Sequence, residues 1–144
     1  MEKKRIAVFD FNAGDCAKTA ETVRRHYHLR DEPFELVEFT DYSLFARNFQ
    51  NCGDTGSPYD MVFIGVDNMM GVEVARQIRE LDEWCPMFIF SSANDFAMEA
   101  YRLHALHYFS KPATAAKVSA SVERIGAKSL SGFQDPTLFA GEGE

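Results

Sequence analysis

Short apolar runs punctuate the chain, and the stretches between them carry apolar residues at helical spacing. Ile6-Ala7-Val8-Phe9, Met61-Val62-Phe63-Ile64 and Met87-Phe88-Ile89-Phe90 show no polar alternation, as expected of strands buried on both faces of a parallel sheet. Strands are therefore expected near 5–10, 34–39, 60–66, 86–91 and 106–109, and helices near 14–28, 41–50, 71–81, 94–103 and 113–126. The helix at 71–81 is the clearest. Val72, Val74, Ala75, Ile78 and Leu81 make an apolar stripe, while Glu73, Arg76, Arg79 and Glu80 stay polar. Pro86 opens the fourth strand and Pro112 the fifth helix. The alternation amounts to five βα units, hence an α/β fold with helices on both faces of a parallel sheet. Residues 51–58 read as a surface loop. From Ser129 to Glu144 periodicity is lost and Ser, Gly, Pro and acid accumulate, so one domain over 1–128 is expected, followed by a flexible tail or the start of a linker.

Composition narrows the class. A chain of 144 residues with 46% hydrophobic content can form one domain that buries roughly two thirds of its unfolded surface. A formal charge of -7 argues against direct nucleic-acid binding, and the basic cluster Arg24, Arg25, His26, His28 and Arg30 reads as a solvated helix end. Cys16, Cys52 and Cys85 suggest neither a disulfide framework nor a zinc site, and the four histidines read as surface residues. No secretory core or membrane-length apolar stretch is present, so a soluble cytoplasmic protein is expected.

In open α/β sheets ligands sit at the carboxyl ends of the strands. Those positions here hold Asp10-Phe11, Gly65-Val66-Asp67, Ser91-Ser92 and Lys111-Pro112. Together with Tyr108, three residues before Lys111, they resemble the receiver domain of two-component response regulators. The likeness spans about residues 4 to 127, and its most specific part is Ala105-Leu106-His107-Tyr108-Phe109-Ser110-Lys111-Pro112. The resemblance implies a flavodoxin-like, doubly wound (βα)5 sandwich with strand order 2-1-3-4-5. The stretch 94–101 with 105–108 is further similar to receivers found ahead of LytTR-type DNA-binding domains. Such a domain needs about another hundred residues, so the chain is expected to be a stand-alone receiver or a piece of a longer regulator.

Phosphoryl transfer to a carboxylate needs a nucleophilic oxygen, a metal and donors for the new phosphate. The resemblance places the acceptor aspartate at Gly65, which has no side chain to phosphorylate. It places an acidic pair at Asp10 and Phe11, of which only Asp10 is acidic. It assigns the phosphate-contacting hydroxyl to Ser91, the ammonium to Lys111 and the aromatic switch to Tyr108. Magnesium prefers near-octahedral oxygen ligands, so very weak binding and no cofactor are expected. The retained Ser91 and Lys111 also have structural readings, as a helix cap and as an ion pair with Asp10. Asp67 is two residues beyond Gly65 and would share its face if the strand continued, with an Asx-turn role as its ordinary reading. The void at Gly65 is one that a nearby ring, Phe11, could fill.

The leading expectation is a pseudo-receiver that is not an enzyme. It would act independently of phosphorylation, through a protein partner or as a homodimer, on the face made by the fourth helix, fifth strand and fifth helix. An alternative keeps phosphorylation, with Asp10 or Asp67 as acceptor. A small flavodoxin-like enzyme or nucleotide binder ranks last, because the segment after the first strand offers one glycine only and no catalytic triad is apparent.

Overall fold

The computed structural model describes residues 3–50, 57–92 and 96–131, with side chains described as far as Ile125. The elements are β1 (Lys4–Phe9), α1 (Ala13–Leu29), β2 (Phe34–Phe39), α2 (Tyr42–Gln50), β3 (Met61–Val66), α3 (Met69–Leu81), β4 (Met87–Ser91), α4 (Ala97–Arg102), β5 (His107–Ser110) and α5 (Ala115–Ser131). The five strands are parallel, in the order β2-β1-β3-β4-β5. This is the flavodoxin-like arrangement expected from the sequence. The expected loop at 51–56 and the end of the expected tail, 132–144, lie outside the described residues.

The unbroken apolar runs become the central strands because a parallel sheet is covered on both faces. Every residue of β3 and β4 is buried. Period-two alternation then divides them between two cores. Phe9, Ile64, Val66 and Ile89 meet Phe45, Phe49, Val74, Ala75 and Ile78 of α2 and α3. Val8, Phe63, Phe88 and Phe90 meet Cys16, Ala20, Val23 and Tyr27 of α1 and Val118 of α5.

Two boundaries differ from the expected ones for local reasons. α3 starts at Met69 rather than at 71, because the Asn68 side chain caps it, accepting the Met70 N–H at 3.0 Å. Gly71 permits this early start. A Cβ there would lie 3.0 Å from Val66 Cα, so the first turn of α3 rests on the backbone of β3. α5 continues to Ser131, past the helix end expected near 126, through residue types such as Ala127, Lys128 and Leu130 that favour helix.

At the amino end of β4 and β5, the Arg79 guanidinium donates to the carbonyls of Asp82, Glu83, Cys85, Leu103 and His104. It thereby joins the end of α3 to the turn that closes α4, where His104 takes a left-handed φ of 58°.

α2 is seated by Phe45, which is fully buried and has ring centroids of Phe9, Phe39 and Phe49 at 5.2, 5.1 and 5.4 Å. Phe45→Ala is expected to lower unfolding free energy by about 3–5 kcal/mol, as read from urea denaturation. A loss below about 1 kcal/mol would mean that α2 is held elsewhere.

Candidate functional site

Register places the site residues. Phe9 pairs with Ile64, so Asp10 follows β1 at the level of Gly65; Gly65 pairs with Phe90, and Ser91 with both Val66 and Ser110. The carboxyl ends of β1, β3, β4 and β5 therefore converge on Asp10, Gly65, Ser91-Ser92 and Lys111. The Lys111–Pro112 peptide is cis.

Lys111 is the centre of this end of the sheet. Its ammonium lies 2.6 Å from Asp10 Oδ2, 2.9 Å from Asp15 Oδ2 and 2.9 Å from Asp67 Oδ1, and its side chain is only 10% exposed. Asp10 is buried, and its Oδ1 accepts the Asn12 N–H at 2.9 Å. The ammonium meets Oδ2 as an ion pair rather than at hydrogen-bonding angles. Asp15 is brought in by the start of α1. Asn12 caps the helix by accepting the Asp15 N–H at 3.0 Å, which leaves the Asp15 carboxylate in the first turn beside Lys111.

Gly65 is filled from the neighbouring strand. A Cβ at residue 65 would lie 2.0 Å from Asp10 Oδ2 and 2.4 Å from Asp10 Cγ. The Asp10 carboxylate thus occupies the space that a side chain at 65 would need. The expectation that Phe11 fills this void is corrected. Phe11 is 44% exposed and sets its ring edge-on to Phe9 at 5.0 Å. It lines instead the mouth of a cleft of about 230 Å³, with Asp10, Gly65, Asp67, Asn68 and Met70.

Ser92, the residue after β4, contributes to holding Asp67 as the anion. Ser91, the expected residue, is fully buried at the end of β4, and its carbonyl accepts the Lys111 N–H at 2.8 Å. Tyr108 is half-buried and packs on the α2–α3 side with Phe96, Leu103 and Ala105. Asp15 and Ser92 are the members that sequence reasoning missed. The Asn12-x-x-Asp15 spacing of a capped helix start was the available signal for Asp15.

The carboxylates are held differently. Burial raises the Asp10 pKa above its ordinary 3.8, with Lys111 and the Asn12 N–H only partly offsetting it. At Asp67 burial acts in the same direction but is outweighed by hydrogen bonds from Lys111 and Ser92 and by the Lys111 charge, so its pKa falls below 3.8. Burial disfavours the charged Lys111, yet its close pairing with Asp10, Asp15 and Asp67 prevails and raises its pKa. Among the described residues, no group of three or more His, Cys, Asp or Glu is arranged to hold a metal ion.

This architecture has many relatives among solved structures. The receiver domain protein (CheY-like) from Methanospirillum hungatei JF-1 superposes with a TM-score of 0.67 at 10% identity, covering 92% of this chain and 100% of that one. The fold is the CheY-like receiver fold. The phosphorylated cyanobacterial phytochrome response regulator RcpA gives a TM-score of 0.64 at 20% identity, covering 92% and 98%. The Thermotoga maritima response regulator TrrA, in complex with Mg(2+)-BeF, gives 0.60 at 18%, covering 84% and 97%. No family model matches the chain. By sequence the chain is similar to the sensory transduction protein LytR of Staphylococcus haemolyticus (strain JCSC1435), 31% identical over 70 residues. The same-named protein of Staphylococcus saprophyticus (subsp. saprophyticus) is 30% identical over 70 residues. Each match covers 46% of this chain and 27% of the relative's length.

Two predictions follow from the packing and charge of this receiver-fold site. Gly65→Ala is expected to cost about 1–3 kcal/mol, because Asp10 must swing away and loosen its pair with Lys111. Adding Asp10→Ala should recover most of that loss in urea denaturation, and adding Phe11→Asp should not; the reverse pattern would show that Phe11 governs the space. In a carboxyl-carbon NMR titration, Asp10 should titrate above 3.8 and Asp67 below it. Ionising Asp10 then removes stability as pH rises from 3.8 through its folded midpoint. Asp67 contributes stability above 3.8 that is lost as pH falls through its folded midpoint. Coincident midpoints would contradict this assignment.

Proposed function

We propose that the chain is a receiver-like signalling module of two-component signal transduction that works without phosphorylation, through contact with a protein partner or with a second copy. The observation that carries this reading is the occupied space beside residue 65 at the carboxyl end of the sheet. Residue 65 has no side chain, the Asp10 carboxylate fills its space, and Lys111 is held by three carboxylates. The receiver fold and the partial likeness to proteins named LytR support the signalling class.

Magnesium does not fit these residues. The positive charge that a metal would bring to Asp10, Asp15 and Asp67 is already supplied by the Lys111 ammonium, within 3 Å of each. Phe11 adds no oxygen ligand at the cleft. The module therefore needs no cofactor, and its role is signalling rather than catalysis.

The working surface in this reading is the face of α4, β5 and α5. Met98 is 60% exposed and Tyr101 56% exposed, and Ala97 and His104 accompany them at the surface. Aromatic and methionine side chains of this kind are favoured in protein interfaces. Among the described residues, no helix is long and apolar enough to cross a membrane.

The test is a proton-nitrogen NMR spectrum recorded before and after adding magnesium with beryllofluoride, a mimic of an aspartyl phosphate. Amides of Asp10, Gly65, Asp67, Ser92 and Lys111 should remain in place. Saturable shifts there, extending to Tyr108, would show that a carboxylate still accepts a phosphoryl group and would overturn the proposal.

A further inference from the structure

Phe11, Met69 and Met70 come from two segments, the turn after β1 and the first turn of α3, yet all three are exposed at the carboxyl end of the sheet. Phe11 and Met70 line the cleft of about 230 Å³ whose other walls are Asp10, Gly65, Asp67 and Asn68. Apolar surface gathered in this way gains by being covered. The same cleft carries negative charge. Three carboxylates face the single Lys111 ammonium, which bonds Asp67 through Oδ1 while the Asp67 side chain stays 35% exposed. Asp10 is buried, and its Oδ2, placed beside Gly65, accepts no hydrogen bond.

We infer that this cleft receives an arginine side chain from a partner protein, its stem against Phe11 and Met70 and its guanidinium on the Asp67 carboxylate. The inference rests on the reading of the module as one that acts through protein contact, and it adds the chemistry of that contact. A guanidinium matches both features of the cleft, because it stacks on an aromatic face and presents paired donors to a carboxylate. It is also more weakly hydrated than an ammonium, so it loses less on entering a partly apolar site. Magnesium needs several oxygens at close range, whereas a guanidinium needs one accessible carboxylate. At about 230 Å³ the cleft is smaller than small-molecule pockets of roughly 300–1,000 Å³ and suits a single long side chain, to which Met70 can adapt. Charge argues against the chain's own tail as occupant, since residues 132–144 hold Asp135, Glu142 and Glu144 but no Lys or Arg.

The test titrates the full, isotope-labelled chain with N-acetyl-arginine amide and separately with N-acetyl-leucine amide, followed by proton-nitrogen NMR. The arginine derivative is expected to shift the amides of Phe11, Gly65, Asp67, Asn68 and Met70 saturably, with roughly millimolar affinity, and the leucine derivative is not. Phe11→Ala should weaken this binding about threefold, and Asp67→Asn about tenfold. Both side chains reach solvent, and retained peak dispersion verifies that the variants fold. Absent shifts, an equal response to both derivatives, or unaltered affinity in the variants would each overturn the inference. Shifts of the same amides with protein concentration alone would make a second copy the occupant and overturn it too. No phosphoryl mimic is present, so failure here leaves the phosphorylation-independent reading standing, whereas saturable shifts with beryllofluoride would remove that reading whatever the arginine derivative does.

Discussion

One buried ammonium organises the carboxyl end of this sheet. Lys111 enters from β5 and faces carboxylates from the end of β1, the first turn of α1 and the loop after β3, at 2.6 to 2.9 Å. Taking these charges out of water is costly, and attraction offsets the cost only when geometry is close and the remaining atoms are bonded. Those conditions are met unevenly. Asp67 accepts a hydrogen bond from Lys111 and is held as the anion, whereas Asp10 is buried with poorer angles and its ionisation is disfavoured. Three carboxylates against one ammonium leave the cluster net negative, which favours keeping the lysine charged and in place.

The rest of the fold supplies the frame that makes such closeness possible. β1 and β3 lie in the middle of the sheet, and the register Phe9 to Ile64 puts Asp10 beside Gly65 without any loop having to bring it there. Gly71 lets α3 begin against the end of β3, so the loop carrying Asp67 is short and its carboxylate has little freedom to leave. At the opposite end of the sheet Arg79 performs a comparable service for α4, using backbone carbonyls instead of carboxylates.

Much of this was legible in the sequence. The unbroken runs at 61–66 and 87–91 cannot be solvated on either face, which dictated a parallel sheet, and the stripe from Val72 to Leu81 located α3. Gly65 and Lys111 were visible as strand-end residues. What periodicity could not convey was the direction of individual side chains beyond the strand ends. Phe11 was a reasonable filler by volume, but Asp10 was nearer and had a cation to neutralise it. Asp15 lies 96 positions from Lys111, and only the docking of α1 brought the two together.

The contact between residue 65 and Asp10 also makes the two positions epistatic. A side chain at 65 is tolerable only when Asp10 adopts another rotamer or becomes smaller, and Asp10 is itself tied to Lys111. The effect of a substitution at 65 therefore depends on which residues stand at 10 and 111, and is read properly only in their combination.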